Sequence, residues 1–220
     1  MRKMLTNGRF VLVLVVLTAA GVLVARELAG QNRNGGQAPY FEVDPFWPKP
    51  LPNHWLLGSA TGVSVDERDH VWIIHRSSAT LGNNEKGLEL SPPTGECCPG
   101  APPVLEFDPE GNLVSSWGGP GEGYEWPASN HGITIDHKGN VWIGGNGPED
   151  SQVRKFTRSG KFLLQIGKSG ARKGPNNAQG QPTYVGGSND PMAFGRVAKI
   201  FVDPVANEAY LADGYLNKRV

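Results

Sequence analysis

Residues 129–145 read SNHGITIDHKGNVWIGG, and residues 59–75 read SATGVSVDERDHVWIIH. Gly62, Val65, Asp66, Val71 and Trp72 recur in register as Gly132, Ile135, Asp136, Val141 and Trp142. Each phrase parses as two strands. GITID (132–136) alternates, HKGN supplies a turn with Gly139-Asn140 at its tip, and NVWIGG (140–145) returns. Only the second copy carries a histidine, His131, just ahead of its glycine.

The similarity continues beyond the phrase. QVRKFTR (152–158) and KFLLQIG (161–167) read as two more strands joined at Ser159-Gly160, completing a four-stranded antiparallel meander. VLEFDPEGNLVSSWG (104–118) matches that sequel at Val104/Val153, Phe107/Phe156, Gly111/Gly160, Leu113/Phe162 and Gly118/Gly167. A third copy begins at AKIFVDPVANEAYLADGY (198–215), with Asp203 in the place of Asp136 and Tyr210 in the place of Trp142. Repeated four-stranded units predict an all-β fold, a β-propeller whose blades bury their faces against one another. Residues 40–220 would then hold about two and a half blades, the front part of a longer ring, with YFEVDPFWPKPLP (40–52) offering a strand to a later blade. Gly62 and Gly132 are expected where the innermost strand runs close to the axis. Trp72 and Trp142 are expected to pack between blades, and Asp66 and Asp136 to start turns.

The chain ahead of this region is different. Arg2, Lys3 and Arg9 precede an apolar run from Phe10 to Ala25, so residues 1–30 read as a secretory signal peptide or an N-terminal anchor. Either makes the body exported, periplasmic or extracellular. Residues 31–39, QNRNGGQAP, are a polar tether. Without residues 1–30 the chain has 17 basic and 20 acidic residues, a net charge of −3, and no basic stripe, which argues against nucleic acid. A membrane is involved only through the possible anchor. The 30 glycines and 18 prolines suit many tight turns, and no stretch after residue 30 sustains a helical period. The adjacent Cys97 and Cys98 lack the ligand number of a zinc site and the C-x-x-C spacing of a redox pair. They read as two thiols or as a vicinal disulfide bracing a loop, which export permits.

Meander topology selects the candidate site. The start of a first strand and the end of a second strand lie on one face of the ring. His131 starts a first strand, whereas Arg76 and Tyr215 follow second strands, so all three are expected at one mouth, each from a different blade. The 25-residue loop 77–101 leaves from the same face and is long enough to form a rim or lid. A neutral imidazole can bind zinc, and an arginine can grip a carboxylate at two points. The plainer alternatives are a hydrogen-bonded structural histidine and an arginine paired with a rim carboxylate.

At these residues the sequence resembles the NHL-repeat propellers, and within them the peptidyl-hydroxyglycine α-amidating lyase domain. GVSVDERDHVWIIHR (62–76), SNHGITIDHKGNVW (129–142) and FVDPVANEAYLADGYLNKRV (201–220) carry the resemblance, over about residues 45–220. It implies a six-bladed propeller that cleaves a peptidyl α-hydroxyglycine into a peptide amide and glyoxylate. It implies zinc held by three histidines from different blades, the first being His131. It makes Arg76 the active-site arginine and Tyr215 the active-site tyrosine, a base whose phenolate zinc and Arg76 would stabilise. It also implies a calcium ion on the axis, bound by the backbone carbonyls of Val63 and Ile133. The other zinc histidines, a second arginine and an acidic calcium ligand would belong to later blades. The disulfide that brackets the family's third blade falls on Gly195 and Leu216 and is therefore absent. Nothing here resembles the copper monooxygenase that makes the lyase's substrate. Two other readings stay open: a non-catalytic NHL propeller binding a protein or glycan at the channel mouth, and a lactone or ester hydrolase on the same fold.

Overall fold

The computed structural model describes residues 39–220. The apolar run 10–25 and all of the tether except Pro39 lie outside the described residues. Among the described residues no helix is long and apolar enough to cross a membrane.

Alternating residues and turn signals give two complete four-stranded meanders. Blade one is β1 (Ala60–Val65), β2 (Val71–His75), β3 (Val104–Phe107) and β4 (Leu113–Trp117), paired antiparallel in chain order. Blade two is β5 (Asn130–Ile135), β6 (Val141–Gly145), β7 (Gln152–Phe156) and β8 (Phe162–Gly167), in the same order. A short hairpin of β9 (Lys173–Asn176) and β10 (Pro182–Tyr184) follows, and then β11 (Lys199–Asp203) pairs with β12 (Glu208–Ala212). Ser64 opposes Trp72, Thr134 opposes Trp142, and Phe201 opposes Tyr210, so the third pair keeps the register of the first two. The fold is all-β, built of propeller-type blades.

Segment 40–52, expected to offer a strand to a later blade, forms no strand with the two blades that the structure describes. Trp47 instead lies against Phe107, with ring centroids 5.7 Å apart, and its indole N–H donates to the Pro109 carbonyl. Lys49 N–H donates to Gly111 O. Trp47 and Leu51 pack on Ala101, Leu105 and Phe107 of blade one and the loop before it.

The cores lie between blades, as stacking requires. Trp72, Ile74 and Val104 of blade one pack with Ile133, Val141, Ile143 and Phe156 of blade two. Trp142 and Val153 of blade two pack with Val197 and Ile200. Along the inner strands the backbones nearly touch. A Cβ on Gly62 would sit 2.8 Å from His131 O, and one on Gly132 would sit 2.7 Å from Ala198 O. Thr61 and Thr134 hydroxyls then donate to the Asn130 and Ile200 carbonyls of the next inner strand. The outward faces at either end of the stack, Val63 and Val65 on β1 and Phe201 and Tyr210 on β11–β12, are exposed.

Each conserved-register aspartate does more than start a turn. Asp66 accepts the backbone N–H of Arg68 and His70 and the Trp72 indole N–H, the last at 3.0 Å. Asp136 repeats the arrangement with Lys138, Asn140 and Trp142. Burial opposes ionisation of both, but the indole, backbone and cation partners outweigh it and hold each carboxyl at about 2. The cation differs between blades. Lys155 of blade two pairs with its own Asp136 at 3.0 Å and lies over Trp142. The matching position in blade one is an acid, Glu106, so the charge is supplied across the junction. Arg158 of blade two bonds Asp66 at 2.7 Å and Glu106 too, over the Trp72 ring.

Arg158→Met leaves Asp66 and Glu106 nearly buried without their cation, which should cost about 3 kcal/mol at neutral pH. Because a lowered carboxyl pKa stabilises above the unfolded value of 3.8 and is lost as pH falls toward 2, the difference from the parent should shrink in that window. Denaturant unfolding at pH 7 and pH 3 checks this; an equal loss at both would contradict the clamp.

Candidate site at the mouth of the inner strands

Arg76, His131 and Tyr215, expected at one mouth, come together there. His131 is the second residue of β5, and its Nδ1 lies 3.2 Å from the Ala198 carbonyl, just ahead of the neighbouring inner strand β11. A carbonyl can only accept, so in the neutral ring Nδ1 carries the proton and Nε2 keeps a lone pair. The Tyr215 hydroxyl lies 2.8 Å from that Nε2, with the two rings edge to face at 84°. Tyr215 is therefore the donor. Its oxygen lies 3.5 Å from Asn146 Nδ2, and Asn146 Oδ1 accepts from Arg76 Nη2 at 3.1 Å and from the Ser129 hydroxyl at 2.9 Å. The chain of contacts has one direction: Arg76 to Asn146, Asn146 to Tyr215, Tyr215 to His131, and His131 to Ala198 O.

Asn146 is a residue that sequence reasoning missed, although a signal existed. It stands at the same repeat position as Arg76, one residue beyond the second strand, so the two meet across adjacent blades.

Each side chain has its own mount. The His75 ring is fully buried; its Nε2 donates to Pro102 O at 2.8 Å, while Nδ1 accepts the N–H of Gly58 and Ser77. Burial pushes this imidazole below its ordinary pKa of 6.5, against the bond to Pro102 O. It is thus a structural histidine that fixes the backbone on both sides of Arg76. Ser77 holds a left-handed φ of 44° there, and its hydroxyl donates to Ala101 O at 2.6 Å. The approach to β5 is held by buried Asp150, which accepts the N–H of Ala128, Ser129 and Gly147. Tyr215 projects from a turn organised by buried Asp213, which accepts Gly195 N–H, Asn217 Nδ2 and Arg219 Nε. The apex is left exposed, and Tyr215 sits on it. Gly195 and Leu216, where the resemblance put the family's disulfide, are neighbours joined by Leu216 N–H to Gly195 O at 2.9 Å. Cys97 and Cys98 are bonded to each other in the loop 77–101.

The metal expectations fare unequally. His131 suits a zinc ligand, since its Nδ1 is tied to a carbonyl and its Nε2 faces the mouth. Among the described residues His131 belongs to no cluster of three or more histidine, cysteine or carboxylate ligands. The one such group, Asp66, His70 and Glu106, belongs to the Arg158 clamp at the opposite ends of the strands. One of the two carbonyls expected to bind an axial calcium is already engaged. The Ile133 carbonyl accepts from Lys199 Nζ at 3.1 Å.

No family model matches this chain. It is 25% identical over 194 residues to peptidyl-glycine alpha-amidating monooxygenase B of Xenopus laevis, covering 84% of this chain and 18% of that protein. Monooxygenase A of the same organism matches equally, at 25% identity over 84% of this chain and 17% of its own length. The chain thus spans less than a fifth of these relatives. A solved structure of catalytically inactive virginiamycin B lyase from Staphylococcus aureus with quinupristin aligns with a TM-score of 0.35 and 15% identity, over 74% of this chain and 51% of that one.

If Lys199 replaces an axial cation, calcium and its chelators leave the unfolding midpoint of the parent unchanged. In Lys199→Met, with the Ile133 carbonyl freed, millimolar calcium should raise the midpoint by a few degrees. Stoichiometric calcium in the purified parent would contradict the substitution.

Proposed function

We propose that this is an exported NHL-type propeller whose mouth carries part of the active site of a lyase that splits a peptidyl α-hydroxyglycine into a peptide amide and glyoxylate. The observation that supports this best is the directed chain Arg76–Asn146–Tyr215–His131, which joins one fixed cation, one phenol and one imidazole lone pair. The similarity to proteins named for peptidyl-glycine α-amidation points the same way. Export rests on the basic flank and apolar run of residues 2–25.

The substrate has a carboxylate, a hydroxyl and an amide nitrogen on one carbon. Arg76 would hold the carboxylate through its planar fork. Tyr215, adjacent through Asn146, would then face the hydroxyl and take its proton. As the carbon–oxygen double bond forms, the carbon–nitrogen bond breaks. Its electron pair goes to nitrogen, which gains a proton and leaves as the amide. The remaining two-carbon fragment is glyoxylate. The His131 lone pair that accepts the Tyr215 hydrogen bond here is the one that would hold zinc, in place of that bond; zinc there would supply Lewis-acid stabilisation of the Tyr215 phenolate, the form able to take the proton, and of the substrate oxygens.

Tyr215→Phe should lower glyoxylate release at least about 100-fold with zinc content unchanged. Arg76→Lys should lose most activity, because an ammonium cannot reproduce the two-point grip. His131→Ala should lower bound zinc, and His137→Ala, in an exposed turn, should not. If the zinc-loaded parent releases no glyoxylate above the spontaneous rate, the lyase reading fails, and a propeller that binds a protein or glycan at its mouth takes its place.

A further inference from the structure

Beside the Arg76–Tyr215 chain a cleft of about 490 Å³ opens at the junction of blades one and two. Its walls include Arg76, Ala79, Pro103, Pro120, Trp126 and Pro127. Apart from Arg76, none of the residues lining it carries a charge. Among the described residues Arg76 forms no ion pair, and its partners are neutral: Asn146 Oδ1 and, at 3.5 Å, Asn130 O. A half-buried guanidinium without an anion, at the edge of a prolyl and indolyl cleft, is complementary to a carboxylate attached to an apolar body. The wall is firm. Trp126 packs on Phe156 and Tyr124, with ring centroids 5.9 and 6.3 Å away. A Cβ on Gly118 would meet it at 2.8 Å, so the indole is backed by main chain.

We propose that this cleft is a specificity subsite for the residue that precedes the carboxylate-bearing end of a peptide, and that it selects a large apolar side chain there. The proposal rests on the reading of Arg76 as the carboxylate anchor. With the carboxylate on Arg76, the chain axis of the ligand has two exits. One leads to Tyr215 and His131, where polar groups converge. The other leads into the cleft, where an aliphatic or aromatic side chain removes its surface and that of Trp126 from water. Burying such a side chain contributes about 1.5–3 kcal/mol, which sets the scale of the discrimination at roughly tenfold to a hundredfold. Ala79, exposed on the 3-10 turn Ser77–Thr80, reaches the cleft but not the polar chain.

Unreactive peptides separate this from the chemistry, since glycine has no hydroxyl to deprotonate. Binding of N-acetyl-Phe-Gly, N-acetyl-Ala-Gly and N-acetyl-Phe-glycinamide to the intact protein is measured by calorimetry and by tryptophan fluorescence. N-acetyl-Phe-Gly should bind at least tenfold more tightly than either of the others, and Ala79→Trp, which fills the cleft, should abolish its advantage over N-acetyl-Ala-Gly while leaving the latter's affinity unchanged. Equal binding of the Phe and Ala peptides, or no effect of Ala79→Trp, overturns the subsite. Equal binding of the acid and the amide overturns the anchoring role of Arg76 instead. Glyoxylate release enters neither comparison, so the lyase reading can fail while the subsite stands.

Discussion

The contact on which everything else depends is the backbone-to-backbone approach of neighbouring inner strands. β1 lies against β5 and β5 against β11 so closely that Gly62 and Gly132 leave no room for a Cβ, with carbonyl oxygens 2.8 and 2.7 Å from where it would be. Two consequences follow. The tryptophans opposite these strands are brought between blades, where Trp72 and Trp142 are buried. Equivalent repeat positions in successive blades also become spatial neighbours, so a residue's place in the repeat decides whom it meets.

That rule makes the mouth. Arg76 and Asn146 occupy one repeat position, and Tyr215 follows the corresponding strand of the third pair, so they line up across three blades. His131 precedes the close-approach glycine, which places its Nδ1 on the carbonyl just ahead of the neighbouring strand and turns its Nε2 toward Tyr215. Stability and site are thus separate layers. At the turn ends of the strands, Asp66 and Asp136 are locked by indoles and cations. At the mouth, His75, Asp150 and Asp213 satisfy backbone N–H groups and leave Arg76 without an acidic partner and Tyr215 exposed.

The blades were legible because the phrase repeats. Alternation, a turn pair and a tryptophan at fixed spacing specify register twice, and the third pair keeps it despite Tyr210 replacing tryptophan. Co-location of Arg76, His131 and Tyr215 was legible from topology alone. Segment 40–52 pairs with neither blade that the structure describes; Trp47 is held against Phe107, outside the sheet. The β9–β10 hairpin carries no repeat signal, being absent from blade one. The Arg158 clamp was hidden because its partners, Asp66 and Glu106, lie 92 and 52 residues away and only the Glu106/Lys155 charge reversal hints at it. Lys199 was invisible for a similar reason: a long side chain reaching a backbone carbonyl leaves no pattern in sequence.

The central claim is that stacking fixes the His131 ring so that its Nε2 lone pair receives the Tyr215 hydroxyl. The most direct measurement is the nitrogen-15 NMR spectrum of the His131 imidazole, compared between the parent and Tyr215→Phe. The account predicts that the neutral form of the ring carries its proton on Nδ1, with Nε2 as acceptor, and that a change confined to the Nε2 resonance follows when the hydroxyl is removed. A ring protonated on Nε2, or one whose Nε2 does not respond to Tyr215→Phe, would contradict it.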